Sequence, residues 1–129
     1  MCLAVLALDQ VPEYPLILIA NRDEFYDRPT LPLQWWTNHP DLLAGIDKKM
    51  GGTWLGITRK GRYALITNYR EFPLKEKFST SRGTLVTDFL LGDDEPSSYA
   101  KKLEENSSSY DGYNLIWGDN RSTHYFSNK

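Results

Sequence analysis

The sequence predicts an α+β fold in which helices lie on an antiparallel sheet. Three observations support this prediction: apolar runs of strand length fill the first half, apolar residues recur at helical spacing after residue 81, and strand-like segments return near the end. An order of strands, two helices and strands is typical of such proteins. With 129 residues, the chain is expected to form one domain over residues 1–129.

The first two strands are expected to form a hairpin. They are the short apolar runs Cys2–Leu8 and Leu16–Asn21, and residues 9–15 between them contain two prolines and acidic residues suited to a loop. If Leu8 and Leu16 face each other, antiparallel pairing that continues one residue for one residue places Arg22 opposite Cys2.

Further elements follow from turn residues and periodicity. A proline-rich turn is predicted at 27–32, a short edge strand at 33–36, and further short strands at 43–47, 51–58 and 62–68, the last two joined by a turn at Lys60-Gly61. A first helix is predicted to begin at a cap, Ser79 or Ser81, to bury Leu85, Val86, Phe89 and Leu90, and to end at Gly92. A second helix is predicted from Pro96 to about Glu105, followed by a linker at 106–112 and a hairpin of 113–117 with 123–126.

Composition excludes several classes of function. The net charge is -2 without a basic stripe, so no nucleic-acid partner is expected. One cysteine cannot form an internal disulfide, and His39 and His124 lack zinc-site spacing, so neither a metal nor another cofactor is expected. The apolar start lacks the basic segment of a signal peptide, and no stretch reaches the roughly 18 apolar residues of a membrane span. A cytoplasmic protein without membrane insertion is therefore expected.

Cys2 is the first candidate catalytic residue. Initiator methionine is normally removed before a small residue, which would leave an α-amine and a thiol together on Cys2. An unperturbed α-amine has a pKa of about 7.7 to 8.0 and a thiol about 8.5, so the amine accepts the thiol proton near neutral pH. The thiolate then attacks a carbonyl. The alternative interpretation is a small apolar residue buried in the first strand.

The polar cluster Asn21-Arg-Asp-Glu24 is expected to lie beside Cys2. Arg22 would favour the thiolate and bind an anionic group, and Asp23 would hold the ammonium of Cys2 by a charge-assisted hydrogen bond. Asn21 and Glu24 are candidates for substrate contact. The alternative is a strand end held by salt bridges with Arg28.

Other candidate site residues lie further along the chain. Asn68 ends an apolar strand and would donate its amide to an oxyanion, although a turn residue is the alternative. Gly51-Gly52 indicates a turn or bulge, or a wall that a substrate approaches closely. Trp54, Tyr69 and Asn114 are candidates for a substrate pocket, with a place in the core as the alternative.

Asn21-Arg-Asp-Glu24 after a strand, with Met1-Cys2 before it, resembles the defining motif of the NRDE family, also called the transport and Golgi organisation 2 family. The likeness covers nearly the whole chain, through Gly51-Gly-Thr-Trp-Leu-Gly56, Thr67-Asn-Tyr-Arg70, Ser81-Arg-Gly83 and Tyr113-Asn-Leu115. The family is similar to cysteine N-terminal-nucleophile hydrolases, which have an αββα sandwich of antiparallel sheets with helices on the faces. Family members are longer, so the chain is expected to form the N-terminal portion of an incomplete sandwich.

The resemblance implies a hydrolase of non-peptide amide or acyl substrates, in which Cys2 works with Arg22 and Asp23 while Asn68 assists the oxyanion. Two other hypotheses stay open: a non-catalytic carrier for haem or for an acyl-chain or acyl-coenzyme A ligand, and an interaction domain without a small-molecule site. The expected partners are therefore a small amide or acyl molecule, or haem. A homodimer is a further expectation, since a second copy would cover the edge of an incomplete sheet.

Overall fold

Antiparallel strands form two sheets, and helices cover one of them, in the computed structural model, which describes residues 2–69 and 80–129. The predicted α+β fold is confirmed. The strands are β1 (Leu3–Val11), β2 (Tyr14–Asn21), β3 (Thr30–Trp36), β4 (His39–Asp47), β5 (Leu55–Thr58), β6 (Tyr63–Asn68), β7 (Tyr113–Gly118) and β8 (Thr123–Ser127). The helices are α1 (Gly83–Leu91) and α2 (Pro96–Asn106), and a short 3₁₀ turn at Ser107–Ser109 follows α2.

Strands β1 and β2 pair as a separate two-stranded sheet, the hairpin sheet. Leu8 pairs with Leu16 and Leu3 with Asn21, so the predicted register is confirmed. The strands run further than predicted into residues 9–15. The register shifts between Leu8 and Val11, where Asp9 has a φ of 53°, and pairing resumes beyond this irregularity.

Strands β3 to β8 form the large sheet, in chain order. The turn predicted at 27–32 extends too far along the chain, because its last residues belong to a strand. Strand β3 begins at Thr30 and includes Pro32. Proline is tolerated there because β3 lies at the edge of the large sheet and its register shifts between Leu31 and Gln34. Strand β4 likewise begins at His39, earlier than predicted.

The main core lies between the large sheet and the two helices. It buries the predicted face of α1, Leu85, Val86, Phe89 and Leu90, together with Leu42, Ala64, Tyr99, Leu103, Leu115 and Trp117. The Phe89 and Tyr99 rings lie 5.2 Å apart, and Tyr99 meets Trp117 edge-on at 5.9 Å. Each such apolar side chain stabilises the fold by roughly 1.5 to 3 kcal/mol through its burial.

The helix ends agree with the sequence prediction to within about a turn. Pro96 opens α2 as expected. For α1, Ser79 lies outside the described residues, and the cap predicted at Ser81 is wrong because Arg82 occupies the N-cap position. The Ser81 hydroxyl nevertheless accepts a hydrogen bond from the Gly83 N–H at 3.2 Å. Within the described residues, no helix has the length and apolar character needed to span a membrane.

The face of the large sheet opposite the helices lines a cleft that the end of the hairpin sheet also borders. Side chains alternate along a strand, so Leu65, which lies between the helix-facing Ala64 and Ile66, points to this second face. Leu65 and its cross-strand partner Leu55 line this cleft together with Ala20 of the hairpin sheet.

Candidate functional site

The cleft between the two sheets has a volume of about 920 Å³. Its walls come from the start of β1, the segment after β2, the β4–β5 loop, the end of β6 and the N-terminus of α1. Among its lining residues are Cys2, Asn21, Arg22, Asp23, Glu24, Arg28, Asp47, Thr53, Trp54, Asn68, Tyr69, Arg82 and Gly112. The volume is in the range of sites that bind small molecules.

Cys2 is half-buried and lies against the polar cluster that follows β2. The backbone N–H of Asp23 donates a hydrogen bond to Cys2 Sγ at 3.3 Å. The side chain of Asn21 accepts the N–H of Leu3 at 2.8 Å, which fixes the end of the hairpin sheet. The hairpin register therefore brings this cluster to the cysteine, as the sequence indicated.

Ion pairs also hold the polar cluster. The alternative interpretation, a strand end held by salt bridges with Arg28, is therefore part of the observed structure. Glu24 Oε2 lies 3.9 Å from Arg22 Nη2 and 3.6 Å from Arg28 Nη1. Arg28 donates through Nε and Nη2 to Oδ2 of Asp47 at 3.1 and 2.6 Å. The salt-bridged strand end and the cysteine site are thus one arrangement, anchored on β4 through Asp47.

Asp47 is the buried carboxylate of this network, at 7% exposure. Burial opposes its ionisation, but hydrogen bonds from Arg28 and from the backbone N–H groups of Lys49 and Met50 hold the pKa of Asp47 below its usual range. The hydrogen bond that Arg28 donates to Asp47 also raises the pKa of Arg28. Both groups stay charged across the physiological range, so the segment after β2 is held to β4 by a charged pair.

Trp54 forms the wall that faces Arg22. The guanidinium carbon of Arg22 lies 4.3 Å from the centre of the Trp54 ring, a cation–π distance. On β4, Gly45 leaves space for the indole, because a Cβ there would lie 2.6 Å from its outer carbon. Arg22 is therefore held between Trp54 and Glu24.

The two glycine motifs of the sequence meet at the base of the cleft. Gly51 and Gly52 have φ angles of 73° and 74°, so a turn replaces the start of the strand predicted from residue 51. A Cβ at Gly52 would lie 2.8 Å from the backbone of Gly83, and one at Gly83 would lie 3.0 Å from the carbonyl oxygen of Thr53. This close approach fixes the N-terminus of α1 beside the cleft.

Arg82 reaches into the cleft from that helix terminus. Its Nη1 donates to the carbonyl oxygen of Gly112 at 2.8 Å, and the same carbonyl accepts the N–H of Tyr69 at 2.9 Å. Burial lowers the pKa of Arg82, while the negative charges of Asp111 and Glu24 act in the opposite direction. Arg82 and Cys2 both line the cleft.

The remaining predicted site residues divide between the cleft and the sheet. Asn68 and Tyr69, at the end of β6, line the cleft with Trp54. Asn114 is not among the lining residues. Its amide nitrogen lies 3.4 Å from the hydroxyl of Thr67, and its oxygen accepts the hydroxyl of Tyr125 at 2.8 Å. The structure thus separates Asn114 from the other predicted residues.

Sequence reasoning did not assign Arg82 or Asp47 to the site. Arg82 lies 80 positions from Cys2, and no periodicity relates residues at that distance. The Ser81-Arg-Gly83 motif was the available signal for Arg82. For Asp47 the signal was an acidic residue at the end of an apolar strand.

The fold and the cleft define an α+β protein with a half-buried cysteine between two antiparallel sheets. The profile of the family described as Transport and Golgi organisation 2 matches residues 1–129. The chain belongs to this family, so the resemblance seen in the motifs is confirmed.

Similar proteins carry the same description. The chain is 43% identical over 126 residues to the Transport and Golgi organization protein 2 homolog of Homo sapiens, covering 92% of this chain and 45% of the relative. It is 41% identical over 126 residues to the homolog of Mus musculus, with the same coverage. Identity to the Drosophila melanogaster protein is 32% over 128 residues, covering 90% and 45%. The chain thus spans about half the length of these relatives.

Proposed function

We propose that this chain carries the nucleophile of an N-terminal-nucleophile hydrolase that acts on non-peptide amide or acyl substrates. The observation that carries the proposal is the position of Cys2: the second residue of the chain lies half-buried in a cleft, and the N–H of Asp23 donates to its sulfur. A residue packed only as a small apolar side chain needs neither the cleft nor the polar neighbours.

Removal of Met1 gives Cys2 the α-amine that serves as the base. The amine takes the thiol proton, and the sulfur attacks the carbonyl carbon of the substrate, so that a C–S bond forms and the carbonyl oxygen becomes an oxyanion. Collapse breaks the C–N bond, and the leaving amine takes the proton from the ammonium of Cys2. Water then hydrolyses the thioester, which releases the acid and restores the thiol.

The neighbours of Cys2 support this assignment of roles. The N–H of Asp23 points at the sulfur, where it stabilises negative charge. Asn68 is half-buried at the end of β6 and lines the same cleft, which suits a donor to the oxyanion. Arg22, held between Trp54 and Glu24, provides positive charge in the same cleft.

The direct test uses a series of N-acyl p-nitroanilides of increasing acyl length. We expect release of p-nitroaniline together with an acyl-sized mass increment on the peptide that begins at Cys2. Cys2→Ala should abolish both signals. Release that persists at the wild-type rate in Cys2→Ala would exclude Cys2 as the nucleophile.

The role of Asn68 has a matched control in Asn114, which lies on the neighbouring strand and outside the cleft. Asn68→Ala should lower kcat by about 100-fold with little change in KM, since an oxyanion donor acts in the transition state. Asn114→Ala should leave kcat near the wild-type value. Equal losses of kcat in the two variants would remove Asn68 from the mechanism.

A carrier for an acyl-chain ligand is the second candidate, and the mouth of the cleft favours it. Phe25, Met50 and Tyr69 line the cleft and are 73%, 44% and 46% exposed, so they form an apolar rim above the charged base. Such a rim suits a long apolar tail. A carrier should bind a fluorescent fatty acid equally in wild type and in Cys2→Ala, without turnover of any anilide. Absence of binding in both would exclude the carrier.

A further inference from the structure

The three arginines that line the cleft differ in their partners. Arg22 lies beside Glu24, and Arg28 forms a direct pair with Asp47. For Arg82, no carboxylate oxygen lies within ion-pair distance among residues 2–69 and 80–129; its bond in that part of the chain goes to the Gly112 carbonyl. A guanidinium has five N–H donors, and one of them makes this bond.

Arg82 is also held at a defined position in the cleft that Cys2 lines. The backbone on either side of it is fixed, because Ser81 accepts the N–H of Gly83 and Gly83 packs on Thr53. The contact with Gly112 ties the guanidinium to the segment that leads into β7. Arg82 and Cys2 line the same cleft, as do Glu24 and Asp111.

A partly desolvated guanidinium favours an incoming anion, because an anion replaces the lost hydration with charge-assisted hydrogen bonds. The planar fork of donors fits the two oxygens of a carboxylate, and it also fits those of a phosphate. Because Arg82 and Cys2 line the same cleft, Arg82 would hold such a group in the cleft where Cys2 attacks the carbonyl.

We infer that Arg82 is a specificity-determining residue, which selects ligands that carry an oxyanion group, carboxylate or phosphate, close to the carbonyl presented to Cys2. This inference rests on the proposed function in taking Cys2 as the reacting group. It adds a property of the substrate that the cysteine mechanism does not require.

Two alkylating reagents of equal size test the inference without turnover. Iodoacetate is anionic and iodoacetamide is neutral, and in both reactions the Cys2 sulfur forms a C–S bond as the C–I bond breaks and iodide leaves. The measured quantity is the ratio of the two alkylation rates, followed by intact mass. A change in thiolate population affects both rates equally, so the ratio reports attraction of the anion.

We expect Arg82→Gln to lower the iodoacetate-to-iodoacetamide ratio about fivefold, the effect of one nearby charge in a partly solvated cleft. Arg82→Lys should retain most of the ratio. The control is Arg59→Gln, which removes an exposed arginine that lies over Trp35 outside the cleft, and it should leave the ratio unchanged. An unchanged ratio in Arg82→Gln would overturn the inference.

A second measurement needs no variant and identifies the anion. Acetate and inorganic phosphate are added separately while wild-type protein reacts with iodoacetamide, at constant ionic strength. Slower alkylation with acetate indicates a carboxylate ligand, and slower alkylation with phosphate indicates a phosphate ligand. No protection by either overturns the inference. Alkylation does not depend on Met1 removal, so failure of the hydrolase proposal is read separately, from the anilide assay.

Discussion

The large sheet and the hairpin sheet are built from similarly apolar strands but are packed differently. The large sheet has its helix-facing side chains buried, with Leu42, Ala64 and Leu115 fully inaccessible. In the hairpin sheet, Leu3 and Ile19 are 62% and 68% exposed. The well-packed layer thus provides most of the stability, while the candidate nucleophile lies next to the less buried layer.

This difference separates stability from function within the molecule. Segments with few buried contacts open at lower free energy than a packed core, so the hairpin sheet depends on local bonds to hold Cys2 in place. Those bonds are the Asn21 contact to Leu3 and the network that ties Arg28 to Asp47. Substitutions in the large sheet should therefore lower the stability of the fold strongly. Substitutions in the hairpin sheet should have smaller effects on stability and act mainly on the position of Cys2.

The largest expected effect is in the main core. Phe89→Ala should lower the free energy of unfolding by about 4 kcal/mol, because a fully buried ring between α1 and α2 leaves a cavity. Ile19→Ala in the hairpin sheet should cost about 0.5 kcal/mol, since the side chain is mostly exposed. Chemical denaturation measures both. A comparable loss at the two positions would show that the sheets contribute equally.

The next effect is at the contact between the β4–β5 loop and α1, where two adjacent glycines form a matched pair. Gly51→Ala should cost about 1 kcal/mol for its positive φ alone, because an added Cβ meets no atom within 4 Å. Gly52→Ala has the same φ cost, and its Cβ clashes with Gly83, which should add about 2 kcal/mol. Equal stabilities of the two variants would argue against this close approach.

A smaller effect is expected where the segment after β2 is anchored to the large sheet. Asp47→Asn should cost about 2 kcal/mol at pH 7, because it weakens charge-assisted bonds to Arg28. The folded state lowers the pKa of Asp47, so this stabilisation is present above about pH 4 and is lost as the pH falls and the carboxylate takes up a proton. Denaturation at several pH values should show wild type and variant converging in acid. A constant difference down to pH 2 would contradict the assignment.

Local patterns in the sequence were sufficient to predict the elements whose partners are close along the chain. The pairing of Leu3 with Asn21 follows from two apolar runs and a short connection, and it brings the segment around Asp23 to Cys2. The buried face of α1 follows from helical periodicity. The edge position of β3 was predicted correctly, but its extension through Pro32 was missed because residues 27–32 were interpreted as a proline-rich turn.

Contacts between distant segments could not be read from the sequence in the same way. Arg82 and Asp47 join the cleft only after β4, β6 and α1 pack together. Asn114 lies outside the cleft, where the side chains of Thr67 and Tyr125 contact its amide. Residue type alone could not show which of the two asparagines lines the cleft.

The central claim is that Cys2 is a primed N-terminal nucleophile, and intact mass of the untagged protein tests it most directly. The mass is recorded before and after iodoacetamide at about pH 6.5, where an ordinary thiol reacts slowly, with the chain in denaturant as control. We predict a protein that lacks Met1 and is alkylated once, at Cys2, faster when folded than when unfolded. Retained Met1, or a folded chain that reacts no faster than the unfolded one, would contradict the claim.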